Sequence, residues 1–298
     1  MKQLISLILA AAATWIPLTG CAQQRPDKDF DPGLKQPLFP KGQGPVMLID
    51  AGHHNFHTLE ERFAPFGKVA VASGFQVKSI SRKFEKDQLK DAKILVIANA
   101  LHEENIEAWE QPVHPAFSDE EVAVIKDWVS DGGRLFLIAD HMPFPGAASN
   151  LAAAFGYEFY DGFAMRRPRK NYDLFSRNNQ MLQSNSLTEG IDSIVSFTGQ
   201  AFQIPDDATA VLTLDSNYWV LMPEVAWQFN DQMKMQPAAG LSQLAYSRFG
   251  KGKVVVSGEA AMFTAQVAGK VKVGMNADFA PNNLPLLLNI LEWLTSEQ

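Results

Sequence analysis

The chain has 298 residues, of which 46% are hydrophobic and 10% aromatic, enough to build a sizeable core and to exclude disorder as the general state. Its formal net charge of −7 argues against a nucleic-acid partner, which calls for a basic face. The single cysteine excludes an internal disulfide framework and a cysteine zinc site.

That cysteine marks the end of a leader. Residues 1–20 read as a signal peptide: Lys2 precedes an apolar stretch from Leu4 to Ile16, too short to span a bilayer. The stretch closes as Leu18-Thr19-Gly20-Cys21, which resembles the lipobox of bacterial lipoproteins. The resemblance implies cleavage before Cys21, lipidation of its thiol and attachment to a lipid bilayer. Ala22, not an acidic residue, follows Cys21, which implies an outer-membrane lipoprotein of the cell envelope facing the periplasm. Residues 21–43 are polar and rich in Pro, Gly, Lys and Asp, and read as a lipidated tether. Residues 44–298 then form a single domain.

Within it, Val46–Asp50 is a continuous apolar run, the pattern of a strand covered on both faces. Thr58, with Glu61 three residues on, predicts a capped helix through Ala72. A strand from Phe75 to Ile80, a short helical connector over Glu85–Asp91 and a third strand from Ile94 follow. Ser118-Asp119-Glu120-Glu121 is a stronger capping box, opening a helix that Gly132-Gly133 stops. A fourth strand ends at Asp140, and Gly146–Phe155 predicts a small-residue helix. From Tyr157 the character changes. Residues 157–248 read as a β-rich insertion, with a basic run at Arg166–Lys170 and a polar loop over Gln228–Ala239. The last buried strand runs Val254–Gly258, and Pro281–Trp293 is the closing helix. Strands alternating with helices predict an α/β fold with a doubly wound, mostly parallel sheet.

Three passages resemble the class I glutamine amidotransferase-like superfamily: the strand–helix–strand stretch from Asp91 to Asp140, Ser186-Leu187-Thr188-Glu189-Gly190, and Tyr246–Val256 with its Gly-Lys-Gly-Lys-Val-Val-Val. The nearest branch is one of bacterial proteins related to ThuA-like proteins and to auxiliary subunits of gliding-type ABC transporters. This implies a flavodoxin-like sheet. The nucleophilic cysteine of the enzymes is missing: the corresponding turn reads Asn99-Ala100-Leu101, and Cys21 lies in the lipobox. Glutaminase chemistry is excluded, and the lack of a Gly-x-Ser-x-Gly elbow argues against a serine hydrolase.

In a parallel sheet the C-terminal strand ends share the edge where ligands bind. Four such ends carry polar residues: Asp50 with His53, His54 and His57; Asn99 with His102; Asp140 with His141; and Glu259. His54, His57, His141 and Glu259 are the candidate catalytic group. Asp50, His53, Asn99, His102, Asp140 and Phe144 are candidate ligand contacts. Two chemistries suit these residue types. One is a divalent metal held by members of His54, His57, Asp140, His141 and Glu259. The other is metal-free acid–base work on a polar substrate, with Phe56, Trp109, Phe144 and Phe263 to stack on a sugar ring. The functional expectation is a hydrolase acting on a small polar substrate, a carbohydrate or cell-wall fragment. The alternative is a non-catalytic ligand-binding or scaffold lipoprotein with an envelope protein partner.

Overall fold

Strand Val46–Asp50 pairs in parallel with Gln76–Ile80 on one side and Ile94–Ala98 on the other, and Arg134–Ile138 and Gly252–Ser257 extend the parallel array. Taken across the sheet, these five run in the order 2-1-3-4-5 along the chain, the flavodoxin-like arrangement. The sheet continues antiparallel through Ser242–Phe249, Phe202–Gln203 and Glu158–Phe159, and Thr209–Thr213 also pairs with Ser242–Phe249. The computed structural model describes residues 24–297. The expected signal peptide and Cys21 lie outside them.

The unbroken apolar runs are explained by two covered faces. Met47, Ile49, Val96 and Ile138 pack with helices Ala64–Ala72 and Asn283–Thr295. Leu48, Leu95, Ile97 and Leu137, one residue out of step, pack with helices Asp119–Ser130 and Phe144–Ala153. Side chains alternate across a strand, so a strand with two buried faces must be apolar at every position.

Helix starts follow their local chemistry. Ser118 accepts the Glu121 N–H at 3.3 Å and Glu121 accepts the Ser118 N–H at 3.1 Å, the predicted capping box. The helix predicted from Thr58 begins instead at Ala64, and Thr58 only accepts turn bonds from the Glu61 and Phe63 N–H groups. Pro65 is the reason: it has no N–H and its ring clashes with the turn before it, so it fits only the first turn. Pro145 sets the start of Phe144–Ala153 in the same way, two residues ahead of the predicted Gly146.

The tether expectation is corrected in large part. Arg25–Pro26 is a strand paired with Gln266 and Val267. Phe30 is buried in the core, Lys68 Nζ donates to the Lys28 and Phe30 carbonyls at 2.7 and 3.0 Å, and Phe39 packs edge-on against Phe75. A few apolar anchors in a polar segment suffice to dock it, and average composition hides them.

The insertion is β-rich as expected. Phe163–Arg166, Tyr218–Met222 and Lys234–Pro237 form a three-stranded sheet, and Asp173–Ser176 pairs with Ser193–Ser196. Lys234–Pro237 lies inside the stretch expected to be a loop. It is an edge strand with mostly exposed side chains, so it lacks an apolar signature.

The last helix is closed by two cations from the sheet. The Lys253 ammonium, on a residue 1% exposed, donates to the Trp293 carbonyl at 2.7 Å, the Ser296 carbonyl at 2.8 Å and Ser296 Oγ at 2.7 Å. Arg134 Nε donates to the Leu294 carbonyl at 3.1 Å. Cations at a helix C-terminus satisfy its free carbonyls and oppose its dipole. Lys253→Met is expected to cost about 1–3 kcal/mol, as charge-assisted hydrogen bonds are lost from a buried site. Thermal unfolding at neutral pH checks this, and an unchanged Tm would show that Arg134 alone holds the helix end.

Candidate functional site

The strand-end residues sit where the parallel sheet puts them. Asp50, Asn99, Asp140 and Glu259 follow adjoining parallel strands, so all four emerge at one edge. Two residues on this edge, His54 at φ 46° and Asn99 at φ 51°, hold left-handed backbone. Asn and His tolerate that region better than most side chains. Gly52 lets the chain turn: a Cβ there would lie 2.9 Å from the Arg82 carbonyl oxygen.

His53 is clamped between two carboxylates. Its Nδ1 lies 3.0 Å from both Asp50 oxygens and its Nε2 lies 2.9 Å from Glu121 Oε1. The ring stacks on Phe84 and tilts against Phe117, both with centroids at 4.7 Å. Burial works against the charged imidazole, but the hydrogen bonds and charges of Asp50 and Glu121 outweigh it and raise the His53 pKa. Burial also opposes the Glu121 carboxylate, yet His53 and the Ser118 and Phe84 N–H groups hold its pKa below the ordinary value. With both ring nitrogens bound, His53 and Asp50 are fastened to helix Asp119–Ser130; Asp50 is fully buried, while His53 and Glu121 form part of the wall of a cavity.

A second chain of contacts runs through Asn99. Its Oδ1 accepts the Asp140 N–H at 2.8 Å, which fixes the amide so that Nδ2 donates to His57 Nδ1 at 3.0 Å. His57 Nδ1 is therefore an acceptor and the ring proton sits on Nε2. Burial, then the charges of Arg62 and His141, push the His57 pKa down to about 3. His57 is a neutral, buried spacer under these conditions.

Asp140 and Glu259 form a buried carboxyl pair. Asp140 accepts the His141 N–H at 2.8 Å and the Ala260 N–H at 3.3 Å. Glu259, 0% exposed, accepts the Ala261 and Met262 N–H groups at 2.9 and 2.7 Å and so caps the short 3-10 turn Ala261–Phe263. Burial raises both pKa values, and for Glu259 the neighbouring Asp140 adds to the rise. Gly199 packs on the chain before this turn so closely that a Cβ would lie 2.1 Å from the Gly258 carbonyl oxygen.

The His141 ring, next to the buried pair, packs among aromatic side chains. It lies flat on Phe163 with centroids 4.7 Å apart and meets Trp227 edge-on at 4.7 Å, and its Nδ1 donates to the Met142 carbonyl at 2.8 Å. Trp227 is 43% exposed on a backbone at φ 68°. His54 is elsewhere, in a cavity of about 350 Å³ lined also by Lys83, His102, Glu103 and Phe117 and by the His53–Glu121 pair. His102 Nδ1 accepts the Glu104 N–H at 3.2 Å.

The expected working centre is thus divided. His57, Asn99, Asp140 and Glu259 are brought together but buried; His54 and His102 share a separate groove; His141 belongs to an aromatic cluster. Among the described residues no group of three or more His, Cys, Asp or Glu side chains is disposed to hold a metal ion, so His54, His57, Asp140, His141 and Glu259 are not gathered as ligands. Phe144 and Phe263, expected as stacking platforms, are core residues at 1% and 0% exposure. Sequence reading missed Glu121 as the partner of His53, because its capping role already accounted for it. It missed Phe163 and Trp227, which no motif marks.

No protein-family model matches the chain, and no curated protein matches it. Solved structures do. One described as the mmIFT52 N-terminal domain gives a TM-score of 0.60 at 16% identity, covering 84% of this chain and 97% of that one. A ThuA-like protein from Bacteroides uniformis gives 0.50 at 13% identity over 89% of this chain and 94% of its own. A cytoplasmic protein from Salmonella typhimurium LT2 gives 0.50 at 11% identity, with coverage of 85% and 100%. These likenesses show the fold alone: an α/β domain with a mostly parallel, flavodoxin-like sheet carrying additional β-rich elements.

Proposed function

We propose that this chain is a non-catalytic, ligand-binding lipoprotein of the bacterial envelope, anchored in the outer membrane through Cys21, that takes a small polar ligand in the groove beside His54 and His102. The observation that carries this is the placement of the groove. It opens between the loops that follow Val46–Asp50 and Ile94–Ala98, where the strand order reverses and ligands of such sheets bind. Exposed His54, half-buried His102, Lys83 and Glu103 offer polar contacts of both signs. The other strand-end groups spend their hydrogen bonds on the protein itself, which supports a binding scaffold over an enzyme and agrees with a role beside an envelope protein partner.

One observation favours a second reading, a hydrolase of a small carbohydrate-like substrate. The raised carboxyl pair Asp140–Glu259 is the kind of group that donates a proton at neutral pH. Replacing Glu259 separates the two. A structural Glu259 costs stability when removed; a Glu259→Ala protein with a wild-type Tm would return the hydrolase reading.

Anchoring has its own test. Cys21→Ser is expected to move the protein from the membrane fraction to the soluble fraction of cells producing the full chain. A variant that stays with the membrane would end the lipoprotein reading while leaving the groove untouched.

A further inference from the structure

We infer that a second cavity, in the β-rich insertion and away from the strand-end groove, is an anion site formed by Arg166, Arg169 and Lys170 for a small phosphate-bearing ligand. The cavity measures about 530 Å³, within the range of small-molecule sites. Arg166 ends the strand Phe163–Arg166 and pairs with Tyr218, so the sheet fixes one cation at the cavity wall. Arg169 and Lys170 follow within four residues on the adjoining loop and line the same space.

The charge in this cavity is unbalanced. Among the described residues none of the three cations has a carboxylate within ion-pair distance, and none of their side chains donates a hydrogen bond to the protein. Two carboxylates, Asp173 and Asp215, also line the cavity, so the cations exceed them by one, and each carboxylate already accepts hydrogen bonds from a neutral donor. Asp173 accepts the Tyr218 hydroxyl at 2.6 Å, and Asp215 accepts the Asn217 backbone and side-chain N–H groups at 2.8 and 2.9 Å. Burial raises the Asp173 pKa against the lowering effects of the Tyr218 hydroxyl and of the Arg166 and Lys170 charges. An ordinary solvated basic loop spreads its cations into water. Here Arg169 and Lys170 are exposed and Arg169 also lies over the Trp227 ring at 5.9 Å, but all three cations border one cavity and their side-chain N–H donors are not used by the protein.

Guanidinium forks match the oxygen geometry of phosphate, and a lysine adds a point charge. Asn171 on the wall offers a neutral donor. At the mouth Tyr172, 40% exposed, stacks on Phe279 with centroids 4.9 Å apart, a face for the uncharged part of the ligand.

The test is calorimetric titration of the full chain with two probes: inorganic pyrophosphate, and dihexanoylphosphatidylglycerol as a soluble lipid headgroup. The comparison protein carries Arg169→Gln with Lys170→Gln, both exposed, and its Tm confirms an intact fold. The expected result is binding of at least one probe, weakened by about tenfold or more in the double variant and by added salt. Binding of pyrophosphate alone assigns a free phosphate ligand; tighter binding of the lipid assigns a headgroup. Binding of neither probe, or equal binding by the double variant, overturns the site. Neither result bears on the groove at His54 and His102.

Discussion

Glu121→Ala is expected to lower the unfolding free energy by about 3–5 kcal/mol near pH 6, the range for breaking a buried ion pair from one side. The side chain is 6% exposed and serves three groups at once: His53 Nε2 and the N–H groups of Phe84 and Ser118. Its loss strands a buried imidazole beside Asp50 and frees two backbone donors, one at the start of helix Asp119–Ser130. For a domain of this size the corresponding fall in Tm is roughly 6–20 °C.

The pH dependence has a definite sign. His53 has a folded pKa above its ordinary 6.5, so its contribution is fully present below that value and is lost as pH rises through the folded pKa. Glu121 has a folded pKa below its ordinary 4.5, so its contribution is present above that value and is lost as pH falls through the folded pKa. Together they are strongest between about pH 4.5 and 6.5. The Tm difference between wild type and Glu121→Ala should peak in that window. A difference that grows steadily from pH 6 to 9 would show that the imidazole is neutral in the fold.

Glu259→Ala is expected to cost about 2–4 kcal/mol, because the buried Met262 N–H and the part-buried Ala261 N–H lose their acceptor. Glu259→Gln resolves the protonation. The wild-type carboxyl has a folded pKa raised above 4.5, so wild-type stability falls as pH rises from there through the folded value. The amide does not titrate. The deficit of Glu259→Gln relative to wild type should therefore shrink as pH rises above about 4.5 and through the folded pKa. Asp140 shares the same burial, and the two carboxyls titrate as a pair, so the curve reports both. Thermal melts at the two ends of the range suffice. A deficit that widens with pH would place a stabilised carboxylate at Glu259.

The meeting of Asp50, Asn99, Asp140 and Glu259 was legible from sequence, because an unalternating apolar run carries its own direction and ends where the polar residues start. What those residues do there was not. Asp50 and Glu121 are 71 positions apart in the chain, and nothing local shows that His53 will be shared between them. Whether a strand-end histidine opens to solvent depends on what packs above it. His54 and His57 differ by three positions, yet one lines a groove and the other lies beneath Phe63 and Asn99. The same limit applies to Phe144: an aromatic residue beside a histidine reads equally as platform or core, and the helix it opens decides for core. Pro65 outweighs the capping signal at Thr58, since a missing N–H is a stricter constraint than a favourable cap.

The strand Arg25–Pro26, paired with Gln266 and Val267, has a geometric consequence for an anchored protein. A free linker of twenty residues would let a domain range up to about 70 Å from the bilayer, at the limit of chain extension. Between Cys21 and Arg25 that limit is about 14 Å. Under the proposed anchoring, the domain rides against the headgroups like a float on a short mooring line. The hairpin Ala265–Gly274 is then held at the water line, and the orientation of the whole body is restricted rather than free to tumble. Any partner would have to approach from the sides or from above.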